Sequence, residues 1–195
     1  MTPHRPPHTH LPHFQVCGGE ALLAAGSTGP LWRVTQGAFR LDRPNRDGST
    51  FVQLALVGDL VGVEGLCAAP YTCTATALMD SQAGMEPVGS EINRYKLLAQ
   101  GFLQQQRRAL DTVQLRSGPI GGRVGHLLKL LGRQADGSVV ALARKALPSL
   151  SELALIVDST PETVCRELKA FLPARPRQRR APSVWQTAPA LGTAA

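Results

Sequence analysis

The chain has 195 residues, of which 43% are hydrophobic, so it can bury one large core or two small ones, and we favour two small domains. No apolar run approaches the roughly 18 residues that a membrane-spanning helix needs, and the N-terminus lacks the apolar segment of a signal peptide. We therefore expect a cytoplasmic protein that makes no contact with a membrane.

The net charge of +7 is divided unevenly along the chain. Residues 20–86 hold four basic and seven acidic residues, a net charge of −3, whereas residues 87–195 hold sixteen basic and seven acidic residues, a net charge of +9. This asymmetry predicts a polyanionic partner for the second half of the chain, and the alternative is a basic surface that serves solubility alone.

The first 13 residues contain four prolines and four histidines and almost nothing apolar, which cannot support a packed core. We expect a disordered arm that extends to residue 19. The alternative is a metal site, but no rigid element fixes the geometry of the histidines, so no metal is predicted. The four histidines are His4, His8, His10 and His13.

Residues 20 to about 79 consist of short apolar runs separated by glycine and other turn residues, such as LWRVTQG and TFVQLALVGD. This spacing predicts an antiparallel β sandwich or roll. The pair Asp47-Gly48 indicates a hairpin, since glycine accepts the positive φ of a tight turn. Gly37 and the pair Gly58-Asp59 mark two further turns.

After Ser90, a predicted N-cap, the period changes to that of a long helix. Apolar or small residues recur at spacings of three and four, with one polar member, Gln106, and this heptad seam predicts a partner helix. Leu98, Leu103 and Leu110 form a second stripe that we expect to pack on the helix's own chain. We favour a homodimer, and the alternative is a helix packed only on its own domain. The predicted dimerisation residues are Ile92, Tyr95, Ala99, Phe102, Ala109 and Val113.

The C-terminal third predicts a helix over residues 121–134, a hairpin-like segment ADGSVVALA, and two further helices joined by a tight turn. Ser149 and Glu152 form a predicted capping box, in which each side chain bonds an amide of the other residue. Asp158-Ser159 makes the turn, Thr160 caps the second helix and Pro161 takes its first position. The packing residues are predicted as Val124, Leu127, Leu128 and Leu131 for the first of the three helices, and Leu153, Ile156, Val164, Leu168 and Phe171 for the last two.

The outer face of the last helix is predicted to carry Glu162, Arg166 and Lys169, because their spacing of four and three places them together. The alternative is an intrahelical ion pair between Glu162 and Arg166 with no further role.

With these elements in place, residues 20–172 resemble the Crp/Fnr family of bacterial transcription regulators. Three features carry the resemblance: the line GPLWRVTQGAFRL followed by GDLVGVEGL, the long helix leading into GGRVGHLLKLL, and the segment S-T-P-E-T-V-C-R-E-L. The last is the most specific, since E-T-V-x-R within a helix-turn-helix is close to a family signature.

The resemblance implies an α+β protein with an antiparallel, cupin-like β-roll (20–89), a dimerisation helix (90–117) and a helix-turn-helix domain (118–173) whose wing is atypical or missing. The disordered arm (1–19) and a basic tail (174–195), which composition predicts, flank these parts. The resemblance also implies a homodimer that binds pseudo-palindromic double-stranded DNA and contacts RNA polymerase, as an activator.

For individual residues, the resemblance implies that Glu162 accepts from a cytosine amino group and that Arg166 donates to guanine, both in the major groove. Cys165 and Pro161 take flanking positions where relatives select neighbouring bases. Thr160, the amides of the helix N-terminus and Ser149 are expected to hold phosphates, and Lys169 is expected to lie at the same interface.

The sequence departs from the family at its ligand-binding positions. Members that bind cyclic nucleotides use a glutamate and an arginine-serine pair, where this chain has Val63 and Cys73-Thr74. Without the arginine, a bound phosphate has no partner, so the protein is expected to act without cyclic AMP. Only Cys17 lies where iron-sulfur members have a cysteine cluster, so no cluster and no other cofactor is expected.

Two further departures concern length. Residues 79–90 leave little room for the last strand and helix of the sensor, and residues 172–195 show no strand pattern that would make a wing. Instead, Arg175, Arg177, Arg179 and Arg180 form a basic tail, either in contact with phosphates or simply solvated.

Two alternatives remain for the function and the switch. The chain shows no nucleophile with its base, no phosphate-binding glycine loop and no metal constellation, so we expect no enzyme. A ligand-sensing or protein-interaction module that has lost productive DNA binding is the alternative to a regulator.

The sequence leaves two hypotheses for how DNA binding is controlled: the amount of protein alone, or oxidation of the Cys165 thiol. All four cysteines, which include Cys67, could equally be small packing residues without a redox role.

Overall fold

The computed structural model describes residues 13–172, which form eight strands followed by four helices. The strands are β1 (His13–Val16), β2 (Ala21–Leu23), β3 (Trp32–Gln36), β4 (Ala38–Asn45), β5 (Gly48–Leu56), β6 (Leu60–Val61), β7 (Thr74–Ala77) and β8 (Ser81–Met85). The helices are α1 (Glu91–Arg116), α2 (Ile120–Leu131), α3 (Leu150–Ile156) and α4 (Pro161–Phe171).

Two four-stranded sheets, in which every strand pair is antiparallel, make up the β-roll. The first sheet has the order β1-β8-β3-β6, and the second has the order β2-β7-β4-β5. A core of apolar side chains lies inside the roll, with Phe39, Ala55 and Ala75 fully buried. The predicted fold class, an antiparallel roll followed by helices, is confirmed.

The predicted turns lie where the glycines require them. Gly48 has a φ of 126° and pairs with Asn45, so β4 and β5 are joined by a two-residue loop. Gly37, with a φ of 77°, separates β3 from β4, and Gly58, with a φ of 90°, lies in the turn between β5 and β6. These positions confirm that the turn residues set the strand boundaries.

Two strands lie in segments where none was expected. The predicted arm of residues 1–19 was wrong at its end, because residues 13–16 form β1 along β8, from His13 opposite Gly84 to Val16 opposite Ser81. The link of residues 79–90 has room for a last strand, since β8 occupies five of its residues. The small side chains of β8 allow this close pairing but give a weak sequence signal, because β propensity favours branched and aromatic residues.

Helix α1 begins where the sequence predicts, since the Ser90 hydroxyl accepts from the Asn93 amide. Of the stripe predicted to pack on its own chain, Leu98 lies partly buried against the core, but Leu103 and Leu110 are 57% and 67% exposed. The buried side chains of α1 are instead Leu97, Gly101, Gln104, Arg108 and Leu115, which recur at helical spacing.

The helical region begins with α2 and the small hairpin that follows it. Val124, Leu127 and Leu131 are buried as predicted, whereas Leu130 is buried in place of the partly exposed Leu128. The hairpin predicted after α2 is reduced to a single antiparallel bridge between Arg133 and Val139.

Helices α3 and α4 form the predicted helix-turn-helix, with Asp158 in the turn at a φ of 50°. The Ser149 hydroxyl accepts from the Glu152 amide, but the predicted return bond is wrong, because the Glu152 carboxylate pairs with Arg40 of β4. An ion pair with a guanidinium is the stronger interaction, so it takes the side chain away from the cap.

The helical region packs directly on the second sheet of the β-roll. One continuous core joins Phe51, Leu54 and Leu56 of β5 to side chains of α2, α3 and α4. Arg40 bridges Asp42 of its own strand and Glu152 of α3. Burial by itself lowers the pKa of Arg40, but the two carboxylates outweigh it and raise that pKa, so the guanidinium stays charged.

Across residues 13–172, the longest helix, α1, is too polar to cross a bilayer, and the others are too short.

Candidate nucleic-acid interface

Helix α4 is built to expose one polar face at a fixed orientation. Pro161 takes the first helical position, and the Thr160 hydroxyl accepts from the Thr163 amide at 3.3 Å. Val164 and Leu168 are buried on the inner side. The opposite side carries Glu162, Arg166 and Lys169, all of which are exposed, as the spacing predicts.

The charged groups on this face are free to meet a partner. The Arg166 side chain is 72% exposed, and its Nε atom lies 3.8 Å from Oε1 of the neighbouring Glu167. Glu162 forms no ion pair in the part of the chain that the structure describes. The ion pair between Glu162 and Arg166, the alternative to a binding role, is therefore absent there. An exposed contact at 3.8 Å contributes little, and the guanidinium can leave it readily.

The remaining predicted interface residues lie in two places. Cys165 lies half-buried beside Arg166 on α4, and its thiol is free. Ser149 caps α3 and lines a cleft of about 870 Å³ between the β-roll and the helical region, together with Glu152. Arg175, Arg177, Arg179 and Arg180 lie outside the described residues.

Two features brace α4 that the sequence analysis missed. Arg123 of α2 donates from Nη1 to the carbonyl oxygens of Val157 at 2.7 Å and Asp158 at 3.2 Å, which ties the turn to α2. Gly125 of α2 permits the close approach of α4, because a β-carbon there would lie 3.0 Å from Cζ of Phe171. Phe171 therefore packs on α2 while it remains 47% exposed.

A second candidate site is a cavity of about 400 Å³ between the β-roll and α1. Arg43, Glu64, Cys67 and Cys73 line it, and Gly101 and Gln105 of α1 close one side. The 3₁₀ helix Val63–Cys67 forms part of its wall.

Glu64 is held as a carboxylate at this cavity. Burial raises its pKa, but hydrogen bonds from the amide and the hydroxyl of Thr72 outweigh that effect and, with help from the charge of Arg43, lower it. The amide and the hydroxyl of Thr72 are therefore both committed to Glu64.

Comparisons by sequence give no match to any family model or to any curated protein. Comparison of structures gives several matches over most of the chain. A transcriptional regulator of the CRP family from Thermus thermophilus is 23% identical, with a TM-score of 0.62 over 81% of this chain and 83% of that chain. FixK2 from Bradyrhizobium japonicum is 20% identical, with a TM-score of 0.55 over 83% of this chain and 84% of that chain.

A third similar structure is the c-di-GMP-responsive global regulator CLP from Xanthomonas campestris, with 16% identity and a TM-score of 0.53 over 83% of this chain and 86% of that chain. All three alignments are long enough to take in strands and helices together. This chain has the Crp/Fnr fold. The predicted resemblance is thereby confirmed at the level of the fold.

Val63, Cys73 and Thr74, which replace the ligand-binding residues of cyclic-nucleotide-binding members, contact other parts of this chain. Val63 packs against α1, where a β-carbon on Gly101 would lie 3.1 Å from its Cγ2 atom. Cys73 is buried in the wall of the cavity, and the Thr74 hydroxyl accepts from the Ala25 amide at 3.1 Å. Neither Val63 nor Cys73 offers a charged donor to a phosphate.

Metal ligands do not cluster in the part of the chain that the structure describes, where no group of three or more histidine, cysteine or acidic side chains is close enough to hold an ion. Of the four N-terminal histidines, His13 lies in β1, and His4, His8 and His10 lie outside the described residues.

The predicted seam of α1 is exposed along its whole length. Ile92, Tyr95, Phe102 and Val113 are between 60% and 69% exposed. Ala99, Gln106 and Ala109 are also exposed, and Leu103 and Leu110 widen the same face. Apolar side chains exposed in a continuous row are typical of an interaction surface.

Proposed function

We propose that this protein is a homodimeric, sequence-specific DNA-binding transcription regulator of the Crp/Fnr type that acts without cyclic AMP. The observation that carries the proposal is the exposed face of α4, where Glu162, Arg166 and Lys169 project from a helix that is capped at its start and braced by α2 and α3.

The proposed contacts follow from the chemistry of the side chains. Arg166 donates two hydrogen bonds to O6 and N7 of a guanine, and Glu162 accepts from the amino group of a cytosine, which together specify a G·C pair in each half-site. Lys169 and the amides at the start of α4 bind phosphates, which position the helix without selecting a sequence. Pro161 and Cys165 lie beside the neighbouring bases and adjust the preference there.

Two copies are needed to bind a pseudo-palindromic site, since the two recognition helices must enter major grooves about 34 Å apart. The exposed seam of α1 is the proposed dimer contact. The seam runs to Val113, next to the helical region, so the pairing of the two α1 helices sets the distance between the two α4 helices.

Independence from cyclic AMP is supported by the charges at the β-roll cavity. A cyclic nucleotide carries an anionic phosphate, and the ionised Glu64 at this cavity repels it. Arg43 lines the same cavity but already stabilises Glu64.

We propose contact with RNA polymerase and activation of transcription from the family resemblance alone.

The second candidate function, a ligand-sensing or protein-interaction module without productive DNA binding, is favoured by the cavity itself. Its volume of about 400 Å³ falls within the ~300–1,000 Å³ of small-molecule pockets.

Fluorescence anisotropy separates these functions. A labelled pseudo-palindromic duplex of the family's type is titrated with the full chain at physiological salt, with a scrambled duplex as control and with or without cyclic AMP. We expect binding that prefers the specific duplex and does not change with the nucleotide. Equal binding to both duplexes would favour the module without DNA function, and binding only with cyclic AMP would contradict the proposed independence.

A further inference from the structure

The seam of α1 contains one polar residue, Gln106, among apolar or small neighbours. Gln106 is exposed, so no contact within the chain explains why an amide stands at this position. Ile92, Ala99, Gln106 and Val113 recur every seven residues and therefore occupy one heptad position. Phe102 and Ala109 precede and follow Gln106 on the same face. A single amide in such a row becomes enclosed as soon as a partner helix covers the seam.

The orientation of the seam is fixed by bonds on the opposite side of α1. The Gln104 amide group accepts from the Leu60 N–H at 2.7 Å and donates to the Leu60 carbonyl at 2.9 Å. Arg108 binds both carboxylate oxygens of Asp59, at 2.6 and 3.0 Å. Because successive residues of a helix are separated by about 100°, Gln106 points roughly opposite Gln104 and Arg108, away from the β-roll.

The exposed area of the seam is large enough for a second copy. Six large apolar side chains on this face are each more than half exposed: Ile92, Tyr95, Phe102, Leu103, Leu110 and Val113. If each loses on the order of 100 Å² to a partner, pairing removes roughly 600 Å² per chain, close to the ~800 Å² per partner of a standard interface.

We propose that Gln106 sets the register and direction of the dimer by pairing with Gln106 of a second copy across the two-fold axis. An amide is both a donor and an acceptor, so two facing amides satisfy each other. Among parallel arrangements this pairing exists only in register. An antiparallel arrangement provides it only when centred on Gln106, and then Ile92 and Tyr95 lie beyond the end of the partner's α1 and lose their contacts. The inference rests on the proposed function for its partner, a second copy of this chain.

Other arrangements leave the amide without a partner. A slip by one heptad places Gln106 against Ala99 or Val113, and an antiparallel pairing centred on the seam places it near Ala99. In each case a polar group is enclosed against methyl groups, which carries the full cost of desolvation. Gln106 therefore weakens the association somewhat but favours a single arrangement, as a polar residue at one heptad position does in coiled coils.

Disulfide trapping tests the facing pair directly. Gln106→Cys in the full chain is oxidised under mild conditions and compared with Gln114→Cys, which is also exposed on α1 but lies off the seam, and with the unsubstituted chain, which reports linkage through the native cysteines. We expect Gln106→Cys alone to form a linked dimer, at least tenfold faster than the two controls. Equal rates for Gln106→Cys and Gln114→Cys would overturn the inference.

The register is tested by a second trap in the same seam. Ala99→Cys is oxidised with Gln106 retained and again in combination with Gln106→Leu. We expect efficient self-linkage with Gln106 and linkage several-fold slower with Gln106→Leu, because leucine pairs equally well in slipped arrangements. An unchanged rate in the combined variant would contradict the role of Gln106. So would efficient linkage, with Gln106 retained in both chains, of Ala99→Cys in one chain to Ile92→Cys in a size-tagged second chain, since that linkage requires a slip by one heptad.

Sedimentation and DNA binding are measured on the same samples, so that the two proposals fail separately. A chain that sediments as a dimer and links at Gln106→Cys but binds no specific DNA supports this inference and removes the proposed function. A chain that sediments as a monomer overturns the inference whatever its DNA binding.

Discussion

The turn between α3 and α4 depends on a residue in an uncommon conformation. Asp158 has a φ of 50°, in the left-handed region where a β-carbon crowds the following carbonyl. The turn is closed by the Ser159 amide, which donates to the Ala154 carbonyl at 3.0 Å, and by Arg123, which holds the carbonyl of Asp158. The local strain is thus maintained by hydrogen bonds on both sides of the residue.

Replacing Asp158 with glycine should relieve this strain. We expect Asp158→Gly to raise the free energy of unfolding by about 1 kcal/mol, because glycine adopts a positive φ without steric cost. Urea denaturation followed by circular dichroism measures the change. Asp158→Ala, which keeps a β-carbon but removes the carboxylate, is the matched control and should be no more stable than the unsubstituted chain. A lower midpoint for Asp158→Gly would show that the carboxylate itself stabilises the turn.

The proposed preference for a particular DNA sequence depends most on Arg166. We expect Arg166→Ala to weaken binding to the specific duplex by about 1–3 kcal/mol and to remove discrimination at one base pair, since alanine cannot make the bidentate hydrogen bonds to guanine. Anisotropy on duplexes that vary at each position measures this effect. Arg107→Ala, an exposed arginine on α1, serves as the charge-matched control. Equal losses on specific and scrambled DNA would assign Arg166 to a phosphate.

At the scale of elements, the attachment of α1 to the β-roll relies on a buried ion pair. Arg108 and Asp59 are 6% and 4% exposed, and Asp59 also accepts from the Leu56 amide at 2.8 Å. A second carboxylate, Asp111, accepts from Arg108 at 2.6 Å. Burial by itself lowers the pKa of Arg108, but Asp59 and Asp111 outweigh it and raise that pKa, so the guanidinium stays charged.

A double-mutant cycle measures this attachment. We expect Arg108→Ala to lower the free energy of unfolding by about 3–5 kcal/mol, because it leaves the buried Asp59 carboxylate without its partner. Asp59→Ala should cost less, because Arg108 keeps Asp111 as a partner. The double variant should lose much less than the two single losses combined, since both charges are then gone. Additive losses in urea denaturation would indicate that the two side chains act independently. Arg107→Ala, at the solvent-exposed side of α1, should change stability little.

At the scale of the whole molecule, the β-roll and the helical region share a core and an ion pair. Besides the Arg40–Glu152 bridge, Arg116 at the end of α1 lies 5.1 Å from the ring centre of Phe51 and donates to the Leu155 carbonyl at 3.0 Å. The position of α4 relative to the β-roll is therefore fixed by contacts within one chain. This arrangement supports the proposed DNA binding without cyclic AMP.

The net positive charge of residues 87–195 predicts an electrostatic contribution to DNA binding, which can be tested on the whole molecule. We expect removal of residues 175–195, which include Arg175, Arg177, Arg179 and Arg180, to weaken binding to specific and scrambled duplexes alike. The slope of log K against log salt should also become shallower by about 0.9 for each phosphate that the tail no longer neutralises. Anisotropy at several salt concentrations measures both quantities. An unchanged slope would mean that the tail is only solvated.

The features that the sequence by itself determined are those that depend on neighbouring residues. The hairpin at Gly48, the caps at Ser90 and Thr160 and the outward face of α4 follow from local hydrogen bonds and from the helical period, so a short stretch of sequence contains all that they require. The family motif in α4 is likewise local.

Other features were decided only by the tertiary structure. Arg108 and Asp59 are 49 residues apart and Arg40 and Glu152 are 112 apart, so nothing in either local sequence indicates the partner. The same holds for the strands β1 and β8, which pair across the chain, and for the side of α1 that packs on the β-roll. Both apolar stripes that the helical period presents on α1 are largely exposed, and the side that packs was decided by the backbone and carboxylate groups that the β-roll places opposite Gln104 and Arg108.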